Sequence, residues 1–458
     1  MYYVEQNLTM TKNRRHYEMM YDRTHTLVKI EKVMDWNLVY RYIKPFYSSH
    51  IGRPTIDPLI LVKILLIQYI EGFRSVRFTC KQVQQNITYR WFLGISPHDR
   101  IPCHSTISKF LHRRISDPSI WEALFRHVVK LIEQDGYISH DIWIADETEL
   151  KANANKRKKC VVVQEIKQEE DAYTLEKVNQ KRTAHRKKVL SSKPGKVVIK
   201  ETIQSLTDPD AGLSVKHDKF GRFAYYDHRI VDGLHNFILD CYVTPATTPG
   251  HRVVLQRFDQ LRMFHNTYAK EVALDAGYYN VRMGEGLEKR KMFAYISYRR
   301  YARNEHSKCK TTQFRKAAED LYACPCGVPF SYKNSTRQGY HEYRPPQGSC
   351  EGCPYAKKGD RVLRISVHQD VYDRLHSQRL SPRGKVLRSV RPSTVERSFA
   401  ESKELHGFRF ARYRGVQKVT IQVLMTAISQ NLKKWAKLRS LRESGIDLSY
   451  QKKKKKKR

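Results

Sequence analysis

No apolar run in this chain of 458 residues is long enough to cross a bilayer. The longest, Leu59 to Ile70, is interrupted by Lys63 and Gln68. Met1 to Arg15 has no apolar core segment of the kind a signal peptide needs. Acidic residues are scarce, 46 against 85 Lys and Arg. The nine cysteines are few for the length, and without an export signal they fit a reducing compartment rather than a disulfide framework. There is no internal repeat. These absences argue against a membrane-spanning helix and against a disulfide framework. They leave a globular chain with room for two or three domains.

The net charge of +39 adds self-repulsion to any compact state and calls for a polyanionic partner. Nucleic acid is the first candidate, and an anionic membrane surface is the second. The expected location is the cytoplasm, associated with the nucleoid.

Taken in order, the first clear element opens at Thr55-Ile56-Asp57-Pro58, with Asp57 as cap and Pro58 in the first turn. The helix that follows is apolar almost all round and so belongs among other helices. Ser75 to Thr88, Tyr89 to Gly94 and Ser105 to Ile115 continue the helical pattern. Lys109, Arg113 and Arg114 share a polar flank of the last, compatible with a helix-turn-helix-like DNA-binding unit or with a solvated basic face.

From Ile138 the pattern changes. Ile142 to Ala145 reads as a short buried strand ending at Asp146. Residues 151 to 200 carry 15 Lys and Arg against 5 acids, and Val163 to Leu190 reads as a charged surface helix. Phe223 to Thr244 alternates as a hairpin turning near Gly233, and Val253 to Phe264 reads as a helix. Glu271 to Leu274 is a second buried strand, ending at Asp275. Strands, helix, strand and a later helix give an α/β order with a mixed sheet. An insert from 282 to about 385 holds Cys324-Pro325-Cys326 and Cys350-Glu351-Gly352-Cys353. Those four thiols are a candidate tetrahedral Zn²⁺ site, with His341 and Cys309 as substitute ligands, although one intervening residue in the first pair is tight. Free reduced cysteines are the alternative.

Arg391 to Gly415 reads as a helix capped by Ser393 or Thr394 and stopped at Gly407, with Val395 and Phe399 on its apolar face. Glu396 and Lys403, seven residues apart, project from nearly the same side. Arg409, Arg412 and Arg414 follow, as phosphate contacts would. Val416 to Leu438 is a long helix whose apolar face is expected to pack on the sheet, and Lys452 to Arg458 is a basic run expected to be disordered. Asp146, Asp275 and Glu396 come from two strand ends and a helix, so they can meet at the edge of one α/β sheet. Three hard oxygen ligands suit Mg²⁺ or Mn²⁺. Two such ions about 4 Å apart can activate a water or a DNA 3′-hydroxyl for in-line displacement at phosphorus. Any one of these carboxylates taken alone would be an ordinary turn or cap residue.

These residues lie in motifs that resemble one family. I-G-R-P-x-x-D-P from Ile51, R-W-F-L-G from Arg90 and H-S-T-I-S-K-F from His104 are similar to the helical domain of insertion-sequence transposases of the DDE type. A-D-E-T-E-L-K-A-N-A-N-K from Ala145, L-D-A-G-Y from Leu274, T-V-E-R-S-F-A-E-S-K from Thr394 and Q-N-L-K-K from Gln430 resemble its catalytic core. The resemblance spans roughly residues 50 to 440. It implies an RNase H-like core with catalytic Asp146, Asp275 and Glu396, and Lys403 as the family's following lysine. It also implies a homo-oligomer on DNA, acting on the element's terminal inverted repeats and on target DNA. Arg388 and Arg391 both qualify for the family's arginine ahead of the glutamate. Ala400 stands where the family often has glycine, which keeps Glu401 as a rival third carboxylate. Gly359 stands where some relatives carry a further cysteine.

The expected division is an N-terminal extension 1–50, a helical DNA-binding domain 51–135, and a catalytic core 136–281 with a basic insert 151–215. A cysteine-bearing insert 282–385, the rest of the core 386–440 and a basic tail 441–458 follow. Other classes with these residues are a transposase-derived DNA-binding protein without catalysis and a metal-dependent nuclease that never joins strands.

Overall fold

The computed structural model describes residues 10–47, 56–215, 221–298, 313–351, 353 and 361–446. The basic run Lys452 to Arg458, Cys309, Gly359 and Ile51 to Pro54 lie outside them. The first helix read from the sequence spans Pro58–Ile70. Asp57 caps it, accepting the Leu59 N–H at 2.8 Å and the Tyr40 hydroxyl at 2.6 Å. Even Lys63 is buried: it donates to Glu31 Oε2 at 2.8 Å and to the Phe92 carbonyl at 3.0 Å, and burial brings its pKa down to about 8. Helices Thr26–Val33, Trp36–Ile43, Val76–Gln85, Ile87–Leu93, His104–Arg113 and Pro118–Gln134 surround it in one apolar core. Residues 26 to 43 are therefore packed with this helical layer.

Strand β1 (Ile142–Lys151) does not end at Asp146, as its apolar run led us to expect, but runs five residues further. Antiparallel pairing with a later strand holds those polar residues in line. Val163 to Leu190 is likewise not one helix. It holds most of β2 (Lys159–Gln168) and helix Ala172–Ala184. Strand β2 pairs antiparallel with β3 (Lys196–Ser205) in a two-stranded ribbon. Val161, Val162 and Val163 face Ile203, Thr202 and Glu201, so β-branched side chains outweigh the local charge density.

The remaining core strands are β4 (Gly212–Ser214), β5 (Arg222–Asp232), β6 (Ile238–Pro245), β7 (Glu271–Leu274) and β8 (Phe293–Ile296). Strand β5 pairs antiparallel with β1 along one edge and with β6 and β4 along the other. Beyond β1, β7 and β8 continue the sheet in parallel, and helices Val254–His265 and Val281–Lys289 supply the crossovers. The result is a mixed α/β sheet.

After β8 the chain forms a separate antiparallel sheet, β9 (Arg315–Ala318), β10 (Leu321–Ala323), β11 (Pro329–Thr336), β12 (Tyr340–Arg344) and β13 (Leu363–Ser366). It has its own small core of Phe314, Phe330, Tyr343, Cys350, Leu363 and Ile365. The long helix Val416–Glu443 packs against β6 as expected, but also against helices Thr26–Val33 and Pro118–Gln134, so it is buried on nearly every side. Among its buried polar groups, Asn431 exchanges two hydrogen bonds with the Ile238 backbone, at 3.0 and 2.8 Å.

The helical layer and the sheet layer touch where helix Arg397–Leu405 ends. Gly407, at φ +63°, turns the chain, and a Cβ on Gly72 would lie 2.6 Å from the Leu405 carbonyl oxygen. His406 Nδ1 bridges the layers to the Tyr69 carbonyl at 2.7 Å. Burial brings its pKa from 6.5 down to about 4, with that hydrogen bond opposing. A depressed histidine is stabilising above its unfolded pKa, and that stability is lost as pH falls from 6.5 through about 4. Urea midpoints measured across that window should fall, and His406→Gln should make the fall shallower. An identical slope in the variant would rule His406 out as a contributor.

Candidate active site

Parallel pairing of β1 with β7 ends at Ala145 opposite Leu274. Asp146, the next residue of β1, and Asp275, the first residue beyond β7, follow directly, so register sets them side by side. On β1, Asp146 and Thr148 share a face with Arg229 and Asp227 of β5, their cross-strand partners. That face is covered by the segment from Pro382 to Leu405.

This segment is not a helix capped at Ser393 or Thr394. Helix Pro382–Val390 passes through a π turn, Pro392–Glu396, into helix Arg397–Leu405. Pro392 has no N–H to give and its ring crowds the preceding turn, which opens the helix there. The Ser393 and Thr394 hydroxyls bond backward to the Val390 carbonyl, at 2.9 and 3.1 Å, rather than forward as caps. In an α-helix, residues five apart point about 140° away from each other. With i→i+5 bonding they come round to one side. The π turn thus puts Arg391 and Glu396 together over the strand ends.

The three carboxylates meet at the Arg391 guanidinium. Nη2 lies 2.5 Å from Asp146 Oδ2, and Nη1 lies 3.3 Å from Asp275 Oδ1 and 3.6 Å from Glu396 Oε1. Side-chain exposure is 14% for Asp146 but 44% for Asp275 and 50% for Glu396, so the site opens to solvent on their side. Burial pushes the Asp146 carboxyl up to about 6, with Arg391 pulling the other way. Burial also works against the charge on Arg391, and Asp146 and Asp275 more than offset it. A cation among three hard oxygen donors marks a place where Mg²⁺ or Mn²⁺ fits by charge and ligand type.

Lys403 Nζ donates to Thr148 Oγ1 at 2.7 Å, two residues along β1 from Asp146. It borders a cavity of about 230 Å³ with Glu149, Arg222, Tyr226 and Arg409. Glu401 lies elsewhere: it pairs with Arg397 at 3.2 Å and lines a different groove with Lys433 and Lys434.

The other basic candidates are scattered. Lys109 and Arg113 are exposed on helix His104–Arg113, and Arg388 is exposed on helix Pro382–Val390. Arg114 donates to the Phe46 carbonyl at 2.7 Å, Arg414 donates to the Asn153 carbonyl at 2.9 Å, and Arg409 pairs with Glu404. Arg412 is half-buried with its guanidinium 4.7 Å from the centre of the Tyr69 ring, joining the two layers.

In the insert, Cys324 and Cys326 sit on one tight turn and Cys350 and Cys353 on another, closed by Gly327 N to Cys324 O at 2.9 Å and Cys353 N to Cys350 O at 3.3 Å. The turns meet with Cys326 Sγ 3.7 Å from Cys353 Sγ. The hydrogen bond shared with Cys353, together with desolvation and the neighbouring thiols, pushes Cys326 up to about 11. His341 instead engages Ser335 Oγ at 2.7 Å.

Sequence reading missed one further cluster, Glu133, His140 and His265. Both histidines reach Glu133 Oε1, at 2.8 and 3.0 Å, while Lys130 takes Oε2 at 2.9 Å. These three contacts let the carboxylate clasp the helical layer to the start of β1. No sequence signal reveals it, because a helix end, a loop and another helix end converge only in space.

Two family models match the chain: one described as "Transposase domain (DUF772)" over residues 15–113, the other as "Transposase DDE domain" over residues 323–436. The second contains Glu396 and Lys403, while Asp146 and Asp275 lie outside both stretches. No curated protein matches. Among solved structures, a cryo-EM structure of a piggyBac transposase synaptic complex with hairpin DNA aligns over 92% of this chain and 80% of that one, at 10% identity and a TM-score of 0.32.

Proposed function

We propose, on the matches to a transposase domain over residues 15–113 and a transposase DDE domain over residues 323–436, that this chain acts as a DDE-type transposase: it binds the terminal inverted repeats of its element, cleaves there and joins the freed 3′ ends to target DNA. Asp146, Asp275 and Glu396 are the catalytic residues in this reading. The observation that carries it is their convergence on one guanidinium from β1, the end of β7 and the π turn. The antiparallel order β6-β5-β1 continued in parallel by β7 and β8 supports an RNase H-like core.

The three carboxylates would hold Mg²⁺ or Mn²⁺, which when bound activates the attacking oxygen and offsets charge at phosphorus. Lys403, fixed on Thr148, places a positive charge beside the reacting strand. Exposed Lys109, Arg113 and Arg388 supply sequence-independent attraction, so DNA binding weakens steeply with salt. Homo-oligomers on DNA belong to this reading, since two element ends must be joined together. The test is excision and insertion of a marker flanked by the gene's own repeats, in cells and with purified protein. Joined products support the transposase. Cutting without joining would indicate a nuclease, and repeat binding without cutting would indicate a DNA-binding relic.

The insert is proposed to hold structural Zn²⁺ on Cys324, Cys326, Cys350 and Cys353, because meeting turns that raise a thiol's pKa describe a site that a cation relieves. Purified protein should carry about one zinc per chain by elemental analysis. Cys326→Ser with Cys353→Ser should carry none, and equal zinc in both proteins would refute the site.

A further inference from the structure

Among the described residues, Arg391 is the cation in contact with all three proposed catalytic carboxylates, at 2.5, 3.3 and 3.6 Å. We propose that Arg391 is an exchangeable countercation of the site: it holds Asp146, Asp275 and Glu396 together before a divalent ion arrives, and gives up its place when the ion binds. This rests on the metal-binding reading of the carboxylates.

Three features carry it. First, the charges: three carboxylates against one guanidinium leave two negative charges unbalanced in the cluster, whereas a divalent ion in its place leaves only one. Second, the fit of Arg391 is incomplete. Its Nε–H is buried without a hydrogen-bond partner, an arrangement that costs free energy in a residue meant to stay. Third, its position depends on a turn with an alternative. Arg391 faces Glu396 only because the helix is π-bonded between them; in α-helical bonding the two would diverge. A divalent ion on Asp146 Oδ2 and Asp275 Oδ1 would sit within a few ångströms of Nη1 and Nη2 and repel them. Arg391 is thus a positioning residue until the ion binds. Once released, it lies at the mouth of the cleft, on the side of half-exposed Asp275 and Glu396, where a DNA phosphate would approach.

The test is Mn²⁺ titration of the full chain without DNA, read by electron paramagnetic resonance. Wild type, Arg391→Gln, Arg391→Lys and the double variant Asp146→Asn with Asp275→Asn are compared. Removing a competing cation should tighten Mn²⁺ binding at least about tenfold in Arg391→Gln, equivalent to about 1.4 kcal/mol. Arg391→Lys should stay near wild type. A residue that merely braced the ligands would weaken binding when lost, so equal or weaker binding in Arg391→Gln overturns the exchange. Wild-type binding no better than that of the double variant overturns the metal site itself, and the exchange with it. A second measurement needs no variant. Phenylglyoxal labelling of Arg391 in wild type, read by mass spectrometry, should rise several-fold when Mn²⁺ is added; unchanged labelling overturns the proposal.

Discussion

Asp146→Asn, Asp275→Asn and Glu396→Gln are each expected to lower excision and strand transfer by a factor on the order of 10³ or more. An amide keeps the size of a carboxylate but not its charge, so the ion loses a ligand and several kcal/mol of transition-state stabilisation goes with it. Folding should survive. Each change removes one negative charge from a cluster where three face a single guanidinium, and Asp275 and Glu396 are half-exposed. Melting temperatures near wild type, with repeat binding intact, would separate lost chemistry from lost structure. Glu401→Gln is the internal control, since its carboxylate pairs with Arg397 across one helical turn and lines another groove. An active Glu396→Gln beside a dead Glu401→Gln would move the third ligand and leave the π turn without a role in the site.

How much of this was legible beforehand depended on how local the cause was. The Asp57 cap, the buried helix after it and the strand before Asp275 rest on neighbours in sequence, and the structure places them as read. The strand that carries Asp146 is legible for a reason that is only half right. The apolar run marked the stretch that pairs with β7, but pairing with β5 carries the strand on through Glu147 to Lys151. The Glu396 helix was found with its start misplaced. Ser393 and Thr394 have the chemistry of caps, and nothing local tells a hydroxyl bonding forward at a helix start from one bonding back over a proline-opened turn. Arg388 and Arg391 could not be told apart for the same reason, because the π turn selects the one that faces the carboxylates. The β2–β3 ribbon was hidden by its lysines. Val161 to Val163 look unremarkable until Val197 to Ile203 are laid beside them, more than thirty residues later. Lys403 on Thr148 and Arg412 over Tyr69 are longer-range still: helical spacing sets Lys403 on the side of Glu396 but names no partner on β1, and Arg412 reads from the sequence only as a phosphate contact.

Arg229→Met is expected to cost about 3–5 kcal/mol of stability, the range for stranding one member of a buried ion pair. Arg229 and Asp227 are both fully buried, 2.7 Å apart on β5, directly across from Asp146 and Thr148. Arg229 also gives Nη1 to Ser398 Oγ at 2.9 Å and to Gln430 Oε1 at 2.8 Å, tying helix Arg397–Leu405 to both the sheet and the long helix. Methionine fills much of the space but leaves Asp227 alone, and burial already pushes that carboxyl up. Without its partner Asp227 must stay charged in an apolar setting or take up a proton. The loss should therefore be larger at pH 8 than at pH 5, because proton uptake that is easy at low pH becomes costly as pH rises above the unfolded pKa. Urea unfolding at the two values reads this directly, and Asp227→Asn combined with Arg229→Met should recover part of the loss at pH 8. An equal loss at both values would mean that the bonds to Ser398 and Gln430, rather than the ion pair, hold the layers. In either case Glu396, one residue before helix Arg397–Leu405, loses its support. The same variant should bind Mn²⁺ more weakly, the opposite sign to that expected for Arg391→Gln.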